Sequence, residues 1–246
     1  MNTMSSSWDE DVLKEEVGLY VYLINENAVF SLRNLKHYDQ HVSIVNLDYF
    51  NVQFITIMDG VLSLEGNPLY HPLTTRNFIL LKNILSAGPD PCTLHLECEG
   101  MEDHPLVQEL CLIPPLITEV VLVKQQLSSI ETLSPLIERG TIQKFRTYVH
   151  YDESQEFFVL LCRFMTSPEL LEYTIVFPSE RTASDRKFLM EMVETLLTTG
   201  MAPFFTVYLP MQLRETFRRR TTNGRRQQLD FEFSTEFDSI SIVRHL

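Results

Sequence analysis

The sequence is short of glycine, with eight in 246 residues, and it has no uncharged apolar run of about 18 residues. The second absence predicts no membrane-spanning helix. The first leaves few places where backbone could close around a phosphate, and no GxGxxG, P-loop or GxSxG pattern is present. Four cysteines, Cys92, Cys98, Cys111 and Cys162, form no CxxC pair and sit among apolar neighbours. That pattern predicts reduced core thiols instead of a disulfide frame or a zinc site. The opening MNTMSSSWDEDVLKEE has neither a basic stretch nor an apolar stretch of the secretory kind. His37 and His41 are spaced to share a helical face, but no HExxH accompanies them and strand-like VSIVNL follows. His95 and His150 read as structural histidines at strand ends. No catalytic residue, metal or cofactor is assigned, and the sequence reads as that of a non-enzyme.

What is present is an acidic, otherwise ordinary soluble composition: 44% hydrophobic residues and a formal net charge of −13. A substantial core is expected, in a cytoplasmic or nuclear protein. The charge is unevenly spread. Residues 214–226 carry six arginines against one glutamate, so the rest of the chain is more acidic than the total indicates. Such a body repels nucleic-acid phosphates at long range.

Along the chain, residues 1–16 read as a flexible acidic arm, and 17–90 as a β-rich N-terminal part with a following helix. VQFITIM and VLSLEG, separated by Asp59-Gly60, predict a hairpin. A helix from Thr74 or Thr75 would put Phe78, Leu81, Ile84 and Leu85 on one face and end at Gly88-Pro89. Residues 91–246 then alternate strand and helix. The strands CTLHLEC, ITEVVLV, TIQKFRTYVHY, LLEYTIVF and PFFTVYL are separated by helical stretches. Those stretches start at HPLVQELCL, at Ser128 with Glu131 as a capping box, at Ser154 and at Ser184. Pro135 is expected to limit or kink the second of these helices, which closes at Gly140. Strands beginning near residues 92, 117, 143 and 170 are 25, 26 and 27 residues apart, before a longer step to about 203. Units of about 20 to 29 residues are the leucine-rich-repeat interval. The fold expected is α/β: an irregular, leucine-rich-repeat-like β/α solenoid or curved sheet, with a compact doubly wound sheet as the alternative.

The C-terminal FRRRTTNGRRQQLDFEF predicts a further β-hairpin. A three-residue loop, Thr222 to Gly224, pairs Phe217 with Leu229, Leu213 with Phe233 and Arg214 with Glu232. A two-residue turn would set the apolar stripes on opposite faces, so the three-residue loop is preferred. Arg218, Arg219, Arg220, Arg225 and Arg226 then surround a polar tip. Three roles stay open for them: a solvated guard against edge pairing, contact with an acidic protein surface, or contact with RNA. No aromatic is interleaved for base stacking, which weighs against the last.

Two segments carry a resemblance. ETLSPLIERGTIQKFRTYV, Glu131 to Val149, resembles the helix-to-strand junction that recurs in nematode F-box-associated domains of the FTH type, with Glu138-Arg139 where Lys-Pro is usual. The closing hairpin and SISIV resemble the last strands of the same domains. The resemblance implies a leucine-rich-repeat-like module that binds protein partners, related to the substrate-binding part of ubiquitin-ligase receptors. Residues 1–60 read as β and lack the Leu-Pro helix that opens an F-box. The function expected is protein–protein interaction, with an RNA-binding or ribonucleoprotein accessory role through the five arginines as the alternative.

Overall fold

A run of alternating apolar residues, Val17, Leu19, Val21 and Leu23, makes β1 (Glu15–Ile24). Asn25 takes a left-handed φ of 51°, which asparagine tolerates, and turns the chain into antiparallel β2 (Asn27–Asn34). The computed structural model describes residues 14–37, 40–44, 50–88, 90–98, 101–123, 127–148, 159, 162–164, 167–176, 204–208, 229–234 and 239–244. The other strands are β3 (His41–Val42), β4 (Phe50–Asp59), β5 (His71–Pro72), β6 (Cys92–Glu97), β7 (Ile117–Leu122), β8 (Lys144–Tyr148), β9 (Glu172–Val176), β10 (Phe204–Tyr208), β11 (Leu229–Ser234) and β12 (Ser239–Arg244). The helices are α1 (Thr75–Ala87), α2 (Pro105–Leu112) and α3 (Leu127–Arg139).

All these strands join one mixed sheet in the order β11-β12-β10-β9-β8-β7-β6-β4-β1-β2-β3, with β5 also on β2. The sheet is open, and the fold is mixed α/β. From β1 through β4, β6, β7, β8 and β9 to β10, each strand is parallel to its neighbour. Antiparallel strands flank that run, β2 on one side and β12 on the other. Because parallel strands are added in one direction and crossovers are right-handed, successive helices fall on the same face. α1 packs on α2 and α2 on α3, as that rule requires.

The core lies between the sheet and this row of helices. Leu19, Ile55, Leu94, Val120, Phe145 and Tyr173 stand side by side across six strands, and none is more than 1% exposed. Beside them runs a second row of Val21, Ile57, Leu96, Leu122 and Thr147, equally buried. Phe78, Leu81 and Leu85 of α1, Val107 and Leu110 of α2, and Leu133 and Leu136 of α3 close over them. Each such side chain contributes about 1.5–3 kcal/mol on leaving water. Phe145 stacks on Phe164 at 4.0 Å and meets Tyr173 at 5.2 Å. Residues 17–90 and the strands after residue 91 therefore share one sheet, and as far as β9 they share one core.

Local signals place the helix ends. Thr74 Oγ1 accepts a hydrogen bond from the Asn77 N–H and caps α1; Pro105 opens α2; Gly140, at φ 66°, terminates α3. α3 starts at Leu127, one residue ahead of the proposed Ser128 cap, and continues through Pro135.

The hairpin expected at Asp59-Gly60 does not form. β4 already pairs with β1 on one side and β6 on the other, so it has no edge for VLSLEG to occupy. The Gly60 N–H instead donates to Leu23 O, and the chain passes into a 3-10 turn, Leu62–Leu64, with Val61 and Leu62 exposed. The tight hairpin of this region is β1–β2. Of the C-terminal hairpin only the strand at 229–234 lies within the described residues; it is β11 and pairs with β12, Leu229 opposite Arg244, a contact different from the one expected across Thr222 to Gly224. The partner strand at 213–217, the turn at Asn223-Gly224 and the helices expected from Ser154 and Ser184 fall outside the described residues, except that Val159 and 162–164 are helical.

Candidate functional site

Strand alternation sends every second side chain to the face opposite α1–α3. No described helix packs on that face. Its residues read across the strands in three rows. Arg33, Gly18, Phe54, Thr93, Glu119, Lys144 and Glu172 form one, and Ser31, Tyr20, Thr56, His95, Val121, Arg146 and Thr174 the next. The third holds Tyr22, Met58, Glu97 and, in β8, Tyr148.

The half of this face over β1, β2 and β4 is an aromatic cluster around one arginine. The Arg33 guanidinium carbon lies 4.6 Å from the Tyr20 ring centre, and Nη2 donates to the Tyr22 hydroxyl at 2.9 Å. Tyr20 meets Phe54 edge-on at 5.4 Å, and Phe54 meets His95 at 6.2 Å. Tyr22 meets Tyr70 at 5.4 Å, and Tyr70 meets His41 at 5.6 Å. Gly18 makes this packing possible: a Cβ there would stand 2.3 Å from the Phe54 ring. Arg33 Nε is buried without a hydrogen-bond partner, so the guanidinium retains unused donor capacity.

The other half is a charge mosaic. Lys144 and Arg146 are exposed and project from β8; Lys144 Nζ lies 3.8 Å from Glu172 Oε2 on β9. His95, between the two halves, has its pKa lowered by burial; Glu97 and Glu119 oppose that shift and Arg146 adds to it. Burial raises the pKa of Tyr22, with Arg33 pulling the other way. Aromatic rings and arginine are side chains enriched in protein interfaces, the rings because they bury large areas at low conformational cost and arginine because its planar fork combines stacking with several hydrogen-bond donors.

The five arginines singled out from the sequence, Arg218, Arg219, Arg220, Arg225 and Arg226, lie outside the described residues. His37 sits in a bend and His41 begins β3, so they share no helix. His95 lies in the middle of β6, not at its end. Cys92, Cys98 and Cys111 are buried free thiols; burial pushes Cys92 up to about 12 and raises Cys111 further. Among the described residues no three His, Cys, Asp or Glu side chains are grouped to hold a metal ion, and no helix is long and apolar enough to cross a membrane.

The open-face residues were missed in sequence because each is unremarkable alone. Alternation marked VQFITIM as a strand but β1 and β2 were not singled out, and only the register brings Arg33, Tyr20 and Phe54 together. Comparison of the chain with family models, with curated proteins and with solved structures finds no match in any of the three.

Proposed function

We propose that this chain is a non-enzymatic protein-interaction module of an irregular, leucine-rich-repeat-like β/α kind, working in the cytoplasm or nucleus. The observation that carries the reading is the division of the sheet's two faces. Helices cover one, and the other carries the half-buried Tyr20, Tyr22, Phe54, Arg33 and His95 beside the exposed Lys144 and Arg146, with Ser31, Thr56, Val121 and Thr174 buried in its middle row. Strand starts at residues 92, 117, 144 and 172 keep nearly the repeat interval read from the sequence. An extended sheet surface of this kind suits a protein partner better than a small substrate. The five arginines of 218–226 supply a second contact for an acidic partner. The relation to substrate-binding parts of ubiquitin-ligase receptors belongs to this proposal and rests on the two sequence segments alone.

The test is affinity purification from nuclease-treated lysate with three baits. They are the wild-type chain, Lys144→Glu with Arg146→Glu, and Arg219, Arg220, Arg225 and Arg226 all changed to alanine. The expected result is a set of protein partners lost from the first variant and retained or weakened with the second. Partners indifferent to the β8 charge reversal would refute the open-face site. A complex that disappears with nuclease alone would replace the reading by RNA binding.

A further inference from the structure

β2 is the last long strand on its side of the sheet, and two dipeptides cover its outer edge. β3 pairs with Leu32 and Arg33, and β5 pairs with Val29 and Phe30. Each begins with a histidine, His41 in one and His71 in the other. In an antiparallel strand the backbone groups of alternate residues point to opposite neighbours. The Asn34 N–H donates to Gln40 O at 3.1 Å and Ala28 O accepts from the Leu73 N–H at 2.8 Å, so the even-numbered residues of β2 point outward and the odd-numbered ones toward β1. A bridge of two residues makes few such bonds, and an edge held this lightly opens locally more readily than the sheet behind it.

β3 is built around two groups that repel when both are charged. The register sets His41 directly opposite Arg33. Side chains so placed have Cβ atoms about 4.5–5.5 Å apart, and like charges there are destabilising. Arg33 keeps its charge and its position, because the guanidinium lies over the Tyr20 ring and donates to the Tyr22 hydroxyl. The His41 ring meets Tyr70 at 5.6 Å, and its Nδ1 is buried without a hydrogen-bond partner among the described residues. A proton placed on that nitrogen has no acceptor waiting for it.

Every packed neighbour of the ring can be named. Burial acts most strongly against its charge, Arg33 of β2 and His71 of β5 act in the same sense, and the Leu69 backbone alone opposes them. No described carboxylate bears on it. The docked ring therefore titrates below the ordinary histidine range, whereas a released β3 carries an ordinary histidine, at about 6.5. Between the two values the released state binds more protons than the docked one. Docking is at full strength above the released value and is lost as pH falls through the docked one.

We propose that β3 is an acid-released strap: protonation of His41 opposite Arg33 detaches it from β2 and uncovers the outward backbone groups of Leu32 and Asn34. Unpaired groups on a sheet edge are a template for an added strand, so the strap decides when this edge is open. Tyr70 meets both His41 and Tyr22, which places the strap at the border of the aromatic half of the open face.

Amide hydrogen exchange of the full chain, read residue by residue by NMR as protection factors at about pH 7.5 and 5, tests the strap. The Leu32 and Asn34 amides, which point to β3, lose protection severalfold on acidification, while Ser31 and Arg33, which point to β1 in the same strand, keep theirs. In His41→Gln, neutral throughout, the protection of Leu32 and Asn34 is the same at both pH values. As a readout independent of that substitution's effect on docking, the His41 ring proton resonance, assigned by its loss in His41→Gln, titrates in the wild type below the ordinary histidine value. The proposal is overturned if the four amides change together or not at all, if the pH dependence survives in His41→Gln, or if His41 titrates at or above the ordinary value.

Discussion

His95 shows how a single residue on the open face couples charge to folding. Its ring is partly buried against Phe54, with Glu97, Glu119 and Arg146 as the charged groups that bear on it. Burial dominates, so its folded-state pKa lies below the ordinary histidine value of about 6.5. Between the two values the unfolded chain binds more protons than the folded one, and stability falls as pH falls. The contribution is whole above the unfolded pKa and lost once pH drops through the folded one. Urea denaturation from pH 7.5 to 5 should therefore show a steeper loss of stability in the wild type than in His95→Gln. Equal slopes would mean that the ring is solvated in the folded chain. His95 was read in the sequence as a structural histidine at a strand end. The strand CTLHLEC already puts His95 near its middle, but its neighbours came from register with β4 and β7, which no local pattern encodes.

At the scale of elements, α1 is the clearest case of local determination. Thr74, the stripe of Phe78, Leu81 and Leu85, and Gly88-Pro89 lie within one short segment, and each acts on its own neighbours. Thr74→Ala removes the acceptor for the Asn77 N–H and should lower stability by about 1 kcal/mol, measured by chemical denaturation, while Thr74→Ser preserves most of it. A loss in Thr74→Ser as large as in Thr74→Ala would show that the methyl group, not the cap, matters. The hairpin expected at Asp59-Gly60 failed for the opposite reason. VLSLEG has good strand composition, but a strand needs a free edge, and β1 and β6 take both edges of β4. Asn25, a less conspicuous turn residue, succeeded because β1 had an open side for β2.

For the whole molecule, the central question is whether the parallel run behaves as one unit. Leu94 sits at 0% exposure in the inner row, between Ile55 and Val120, with the helices above. Leu94→Ala should cost about 2–5 kcal/mol through lost transfer energy and the cavity left behind. Because residues from Val17 to Tyr173 share one hydrophobic cluster, far-UV circular dichroism should still show a single transition at lower denaturant concentration. Two separated transitions would divide the chain into independent units near residue 90. The sequence by itself determined the acidic balance, the reduced thiols, the α1 and α2 boundaries and the strand-and-helix alternation from β6 through α2, β7 and α3 to β8, because these depend on residue type and near neighbours. Only the tertiary structure decided that β1 lies parallel to β4 at the head of the same sheet, and which alternate residues meet on its open face. It alone set His41 opposite Arg33 at the edge of β2. Those outcomes depend on which strand edges remain free and on register between segments distant in the chain, and neither is written in any short stretch of residues.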